Sequence, residues 1–170
     1  MKEITLTQGM VALVDDEDFE WLNQWKWCVN KKTYAKRAIY KNGEIQILLM
    51  HRDIMNAQKG MQVDHIDHNC LNNQKSNLRL CNNSQNQMNC NTKGGKSKYK
   101  GVVLKIKNRS QTLKNGKIKT YYYSKPFYAQ ITVNSKKKFL GYFKTEMQAA
   151  IAYDEAAVKY FGEFANLNFK

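Results

Sequence analysis

The decisive stretch of this chain is Val63-Asp64-His65-Ile66-Asp67-His68, which is followed by four spaced asparagines, Asn72, Asn73, Asn77 and Asn86. A carboxylate beside an imidazole supplies a hard oxygen ligand for a divalent cation and a group that accepts a proton near neutral pH. Phosphodiester hydrolysis needs both functions, because a metal stabilises charge on the phosphate while a base activates the attacking water. We therefore predict that Asp64 is a metal ligand and His65 the general base. The alternative for His65 is a histidine packed in a small core and satisfied by hydrogen bonds.

These residues resemble the HNH nuclease motif, in the variant in which asparagine replaces the later histidines. The resemblance extends from Leu49 to Asn91, and the segments in family register are Asp64-His65, Asn72-Asn73, Asn77-Leu78-Arg79 and Asn86-Gln87-Met88-Asn89. It implies a ββα-metal module, in which two strands and a helix surround one divalent ion. It also implies hydrolysis of DNA phosphodiester bonds that leaves 5′-phosphate and 3′-hydroxyl ends.

The resemblance extends the candidate catalytic set to Asp64, His65, Asn77 and Asn86. Asp64 and Asn86 are implied to hold one Mg²⁺ or Mn²⁺ per active site; the alternative for Asn86 is an amide on a helix surface. Asn77 is expected to hold the loop and the imidazole in place by bonding backbone groups across the turn.

Three other residues near the motif have weaker signals. His51 is expected to pack or to cap a helix, and His68 to be solvent-exposed or to face a phosphate. Arg79 is a candidate phosphate contact, and the alternative is a surface arginine.

The net charge of +14 is unevenly distributed over the 170 residues. Residues 1–92 contain 11 Lys and Arg against 10 Asp and Glu, whereas residues 93–170 contain 17 against 4. This asymmetry favours a folded catalytic module joined to a polyanion-binding one, although a lysine-rich surface that only aids solubility remains open. We predict domains at 1–92 and 99–170, joined by a cationic linker at 93–98.

Periodicity and turn residues predict an α+β fold with short strands. In the first half, strands are expected to flank the turn at Asn42-Gly43, and an aromatic core is expected from Trp21, Trp25, Trp27 and Tyr34. The motif itself is predicted to form a strand ending at His65, a returning strand at Asn77–Cys81 and a helix at Ser84–Asn91. The second half is predicted to contain strands at Tyr99–Lys107, Phe127–Val133 and Lys138–Phe143, a basic insertion at Ser110–Ser124 and a helix between Thr145 and Gly162.

The second half resembles the Apetala-two/ethylene-response-factor DNA-binding domain. The segments that carry the resemblance are Tyr99-Lys100-Gly101-Val102, Ala129-Gln130-Ile131, Phe139-Leu140-Gly141-Tyr142-Phe143, Ala149 to Ala157 and Asn166-Leu167-Asn168-Phe169. It implies a three-stranded antiparallel sheet, backed by one helix, that enters the major groove of double-stranded DNA. The chain departs from the plant pattern at Lys100, Gln130, Thr132, Lys137 and Phe139, so the plant target sequence does not transfer.

The predicted DNA-binding residues are basic or polar side chains of this half, together with Arg79. They are Lys100, Lys105, Lys107, Gln130, Thr132, Lys136, Lys137 and Lys138. Gln130 and Thr132 are expected to share one sheet face with Tyr128 and to reach base edges, while Ala129, Ile131 and Val133 face the helix. The three consecutive lysines are expected to precede a strand and to contact phosphates, unless they form a solvated turn.

Together these features predict a metal-dependent DNA endonuclease, and the combination of the two modules on a short chain resembles homing endonucleases of bacteriophages and bacteria. The alternatives are a non-catalytic DNA-binding regulator with a decayed nuclease module and an RNA-binding protein. The sequence shows no apolar run long enough to cross a bilayer and no secretion signal at its start, so we expect a cytoplasmic protein. The resemblance to homing endonucleases implies a bacterial or phage-infected host cell, and we expect a monomer. The four cysteines form no CxxC pair, which favours free thiols over a zinc site.

Overall fold

The computed structural model describes residues 1–30, 33–90, 96–105, 109–121 and 123–169. It divides into two compact units, Met1–Gln87 and Met88–Lys170. The first unit carries a net charge of +1 and the second +13, since residues 88–92 contain no charged side chain. The predicted DNA contact Lys107 and residues 93–95 of the predicted linker lie outside the described residues.

The first unit is built from short antiparallel sheets and short helices. Its elements are β1 (Lys2–Thr5), β2 (Val11–Val14), α1 (Asp16–Leu22), β3 (Cys28–Asn30), β4 (Tyr34–Lys41), β5 (Glu44–Leu49), α2 (Met50–Ile54), β6 (Gln62–His65), β7 (Leu78–Cys81) and α3 (Asn83–Asn89). The sheets pair β1 with β2, β4 with β3 on one side and β5 on the other, and β6 with β7. The division between the two units falls within α3.

The core of the first unit forms where β1 and β2 meet α1 and α2. Trp27 is only 1% exposed and its indole nitrogen donates a hydrogen bond to the carbonyl oxygen of Leu22 at 2.9 Å. The predicted aromatic core is confirmed for Trp27 and for Trp21, which packs against it. It is wrong for Trp25, which lies beyond the end of α1 at Leu22 and is 49% exposed under the Arg37 guanidinium. The ring of Tyr34 instead packs beside the ring of His51.

The predicted turn at Asn42-Gly43 is present between β4 and β5. Both residues have positive φ values, 53° and 81°. Two consecutive residues of this kind match the right-handed twist of a hairpin, and asparagine followed by glycine adopts them at the lowest cost.

The second unit contains a three-stranded antiparallel sheet and one long helix, as the second half of the sequence predicts. Its elements are β8 (Val102–Leu104), β9 (Arg109–Thr112), β10 (Ile118–Tyr121), β11 (Phe127–Val133), β12 (Lys136–Phe143) and α4 (Glu146–Phe161). The strand order of the main sheet is β12-β11-β8. The predicted basic insertion forms a separate hairpin from β9 and β10. Lys136, Lys137 and Lys138 all lie within β12, so the prediction that these lysines precede the strand is wrong.

Small side chains let α4 lie close to this sheet. Ala149, Ala150 and Ala157 are completely buried, and Thr145 and Gln148 form a capping box at the start of the helix. Gly101 is required at the same contact, because a Cβ atom there would lie 1.9 Å from the ring of Tyr153. No disulfide joins any of the four cysteines, and no described helix is long and apolar enough to span a membrane.

Candidate active site

The motif residues lie on the hairpin formed by β6 and β7. Asp64 is paired with Arg79 and His65 with Leu78 in the antiparallel register. Asp64 and His65 are both buried, at 7% and 5% exposure, although their side chains are ionisable. Along the chain β6, β7 and α3 follow one another in the predicted order, and α3 comes directly after β7.

The carboxylate of Asp64 is bound by the guanidinium of Arg79. Nε and Nη2 of Arg79 both donate to the same oxygen, Oδ2, at 2.9 Å and 2.7 Å. The side chains are only 8% and 13% exposed, so this is a buried ion pair. Arg79 was expected at a phosphate or on the surface; in the structure it contacts the proposed metal ligand.

Asn86 lies on the side of the hairpin that carries Asp64. Its side-chain nitrogen donates a hydrogen bond to Oε1 of Gln62. Because strand residues two apart share a face, Gln62 and Asp64 point to the same side of β6. Gln62 thus connects α3 to the strand of the predicted ligand. Sequence reasoning missed it, although its position two residues before Asp64 was an available signal.

His65 lies in a cluster of rings. Its Nε2 is 3.4 Å from Oδ1 of the fully buried Asn73, and its ring centroid is 5.1 Å from that of His51 and 6.0 Å from that of Tyr34. Burial lowers the pKa of His65, against the opposing effects of the Asn73 hydrogen bond and of the Asp67 and Asp64 carboxylates. The imidazole is therefore held in its neutral, proton-accepting form near neutral pH.

His51 packs against His65, in agreement with the first of its two expected roles. The two rings are at 74°, edge to face. His51 is 5% exposed, and its Nδ1 has no hydrogen-bond partner among the described residues. Burial, with smaller effects of His65 and Arg52, lowers its pKa to about 3. His68 is half-buried in the loop with a φ of 65°.

Asn77 connects the two ends of the loop between β6 and β7. Its side-chain nitrogen donates to Oδ1 of Asp67 at 2.9 Å and to the carbonyl oxygen of Asn72 at 2.8 Å. Its side-chain oxygen accepts from the backbone nitrogen of Asp67 at 3.0 Å. These bonds shape the loop that directly follows His65.

The donor set suits a hard divalent cation bound largely by water and phosphate. Within the described part of the chain, no three His, Cys, Asp or Glu side chains are grouped as a metal site. The Asp64 carboxylate and the Asn86 amide oxygen would be the protein ligands. Mg²⁺ characteristically accepts one or two protein oxygens and retains several waters.

The predicted DNA-binding lysines of the second unit have different surroundings. The ammonium of Lys100 donates to the carbonyl oxygens of Met88 and Cys90 at 2.5 Å and 2.7 Å, and burial lowers its pKa. Lys105 lies over the rings of Tyr123 and Tyr142. Lys137 is exposed on β12. Because its internal bonds occupy its ammonium, we leave Lys100 out of the proposed DNA surface.

Cross-strand register separates the remaining candidates by face. Lys137 is opposite Thr132, on the sheet face away from α4, whereas Lys138 is opposite the buried Ile131 and lies over the ring of Tyr160. Lys136 is opposite Val133 and therefore shares the helix side. Only one of the three consecutive lysines thus shares a face with Thr132.

The hairpin of β6 and β7, with the buried Asp64 and His65, is thus followed by the helix that carries Asn86. A family model described as HNH endonuclease matches residues 57–88. An uncharacterized HNH endonuclease of Acanthamoeba polyphaga mimivirus is 33% identical over 169 residues, which cover 95% of this chain and 76% of that protein. The chain belongs to the HNH endonuclease family. No solved structure gives a significant match.

Proposed function

We propose that this protein is a metal-dependent endonuclease of the homing type that hydrolyses phosphodiester bonds in double-stranded DNA and leaves 5′-phosphate and 3′-hydroxyl ends. The observation that supports it most directly is the placement of Asp64, His65 and Asn86 on β6 and α3, within the segment that matches the family. Membership of the family supports the nuclease activity; the metal dependence rests on the chemistry of the donor set.

In the proposed reaction His65 accepts the proton of the attacking water. When Nε2 carries a proton and donates it to Asn73, Nδ1 is the basic nitrogen. A bound Mg²⁺ or Mn²⁺ would stabilise charge on the phosphate and on the departing 3′-oxygen. Asp64 and Asn86 would hold the ion, and Arg79 and Gln62 would orient these two ligands. Asn77 keeps the loop after His65 in one conformation.

We further propose that the second unit binds the DNA duplex. The support is electrostatic, since this unit carries +13 of the net +14. Contacts to phosphates would then supply most of the affinity, and these contacts weaken as salt increases. The same proposal includes three further statements. The three-stranded sheet of the second unit enters the major groove, as in an Apetala-two domain. The protein is a monomer, and it is located in the cytoplasm of a bacterial or phage-infected cell.

One observation favours the alternative of a non-catalytic DNA-binding regulator. Asp64 already has a buried cationic partner in Arg79, and a nuclease module that had lost its metal would be stabilised by such a pair. Catalysis is nevertheless the better reading, because Asp64, His65 and Asn86 are all intact within the segment that matches the nuclease family.

Nicking of supercoiled plasmid by the full chain tests the proposal. We expect cleavage with Mg²⁺ or Mn²⁺, no cleavage in EDTA, and loss of cleavage in His65→Ala with DNA affinity within a few-fold of wild type. His68→Ala is the matched control histidine. A wild-type protein that binds duplex DNA without cutting it with either metal supports the regulator. Substantial cleavage by His65→Ala would exclude His65 as the base.

A further inference from the structure

The sheet of the second unit carries three aromatic rings on the face away from α4. They belong to Tyr128 on β11 and to Phe139 and Tyr142 on β12. Phe139 is 58% exposed and Tyr142 48%, and their centroids are 4.9 Å apart. The Tyr128 ring lies 6.2 Å from Phe139 and 6.1 Å from Tyr142. Two rings that are about half open to solvent, in contact with each other and with the partly buried Tyr128, form a preformed apolar surface.

A β-bulge places these rings on one face. In the register, Gly141 is opposite Ala129 and Phe139 is opposite Gln130, so Leu140 is the extra residue. Leu140 packs into the core, and Gly141 has a φ of 131° that favours glycine. Phe139 and Tyr142, three residues apart, would point to opposite faces of a regular strand. The bulge therefore builds the cluster at a local cost in sheet pairing.

The amide of Gln130 is directly next to the most exposed ring of this surface. Gln130 and Phe139 are cross-strand partners, and such partners have Cβ atoms about 5 Å apart. Ala129 and Ile131, on either side of Gln130, are buried toward the helix, so the amide shares the outer face with the rings. A bidentate hydrogen-bonding group and an apolar ring thus adjoin each other.

This combination matches the major-groove edge of an A·T base pair. Adenine offers an acceptor and a donor that one glutamine amide satisfies together, and thymine offers a methyl group that an aromatic ring contacts. A G·C pair has neither the methyl group nor that donor–acceptor order on its purine. We propose that Gln130 and Phe139 read one A·T base pair, with Gln130 on the adenine and Phe139 on the thymine methyl.

The charges around the aromatic face favour duplex DNA as its occupant. Lys137 shares the face through its pairing with Thr132, and the Lys105 ammonium lies 5.2 Å from the centroid of Tyr142. Such cations at the margin of an apolar patch complement phosphates that border a groove. The inference rests on the proposed function in assuming that the second unit binds DNA, and it adds the base pair and the atoms that are read.

Chemically altered DNA tests the inference on the unaltered full chain. Duplexes selected by the wild-type protein from a random pool in EDTA would be resynthesised with deoxyuridine for each thymidine, one position at a time. At one position we expect about a fourfold loss of affinity, since a single buried methyl group is removed. Replacing the paired adenine by 7-deazaadenine, which lacks the N7 acceptor, should cost about fivefold or more.

Variants assign each loss to its residue. Phe139→Ala should lose sensitivity to deoxyuridine but keep sensitivity to 7-deazaadenine, and Gln130→Ala should show the reverse. Met147→Ala, an equally exposed apolar residue on α4, should remain sensitive to both. Duplex binding that is indifferent to both base analogues at every position overturns the inference and leaves DNA binding intact. If the protein binds single strands or RNA more tightly than duplex DNA, the inference is overturned and the rings stack on bases instead. If it binds no nucleic acid at all, the proposal that the second unit binds DNA is overturned as well.

Discussion

Arg79 places two hydrogen bonds on a single oxygen of Asp64, at 2.9 Å and 2.7 Å, inside the hairpin that carries the candidate base. Arg79→Met should therefore leave a buried carboxylate without its cation and lower the free energy of unfolding by about 3 kcal/mol or more. Added Mg²⁺ should recover part of that loss, because a metal at Asp64 would compensate the same charge. Thermal unfolding of both proteins in EDTA and in Mg²⁺ measures this. If Arg79→Met leaves the stability unchanged and weakens duplex binding, Arg79 contacts a phosphate instead.

Cleavage should fall most when a proposed metal ligand is removed and less when Gln62 is removed. Asp64→Ala and Asn86→Ala should lose most activity with Mg²⁺ and recover some with Mn²⁺, which tolerates poorer geometry. Gln62→Ala should lose about tenfold, as is typical when a residue that orients a ligand is removed. Gln87→Ala, an exposed glutamine on the same helix as Asn86, is the control. Full activity of these variants in EDTA would falsify the metal-dependent mechanism.

Stability should fall as the pH decreases below the ordinary histidine range. His51 is neutral in the folded protein because its pKa is lowered to about 3, whereas in the unfolded chain it binds a proton below about 6.5. The unfolded state thus holds more protons between these values, and His51 alone should cost about 1 kcal/mol at pH 5.5 relative to pH 7.5. Chemical unfolding of wild type and His51→Gln at both pH values isolates this part. The prediction is wrong if His51→Gln shows the same pH-dependent loss as wild type; His68→Gln controls for a histidine outside the ring cluster.

Lys100 and Lys137 should have opposite phenotypes. Lys100→Met removes an ammonium that binds two carbonyl oxygens inside the unit, so it should lower stability and leave duplex affinity unchanged. Lys137→Met should leave stability unchanged, weaken binding to all sequences alike, and reduce the salt dependence by about one phosphate contact. Unfolding curves and binding isotherms at several salt concentrations measure both effects. If Lys100→Met instead weakens duplex binding and leaves stability unchanged, Lys100 is a DNA contact.

The two functions should separate into overlapping fragments. Residues 1–92 should retain weak, poorly targeted, metal-dependent cleavage, and residues 88–170 should bind duplex DNA without cutting it. The second fragment must begin at Met88 because that side chain packs against the core of its unit and its carbonyl oxygen binds Lys100. Cleavage and gel-shift assays on the purified fragments are the measurement. Strong duplex binding by residues 1–92 alone would contradict the electrostatic division.

Local pattern was enough to predict much of this protein. Alternating apolar residues, the Asn42-Gly43 turn and the Thr145 cap predicted the hairpins, the sheet of the second unit and α4, because each depends on residues close together in the chain. Local pattern likewise predicted the strand that carries Asp64 and His65, the returning strand and the helix that carries Asn86. The roles proposed for these three residues remain predictions for the experiments above.

Tertiary structure alone decided which side chains meet. Arg79 reaches Asp64 across the hairpin, and His51 on α2 packs against His65 on β6, contacts for which the sequence contains no periodic signal. Lys100 turns inward because two carbonyl oxygens are within reach of its ammonium. The bulge at Leu140 brings Tyr142 to the face of Phe139 because the core accepts the leucine side chain. Each of these contacts depends on groups that distant segments of the chain supply. At each position burial, charge and hydrogen bonding compete, and the balance between them is decided only when those segments pack together.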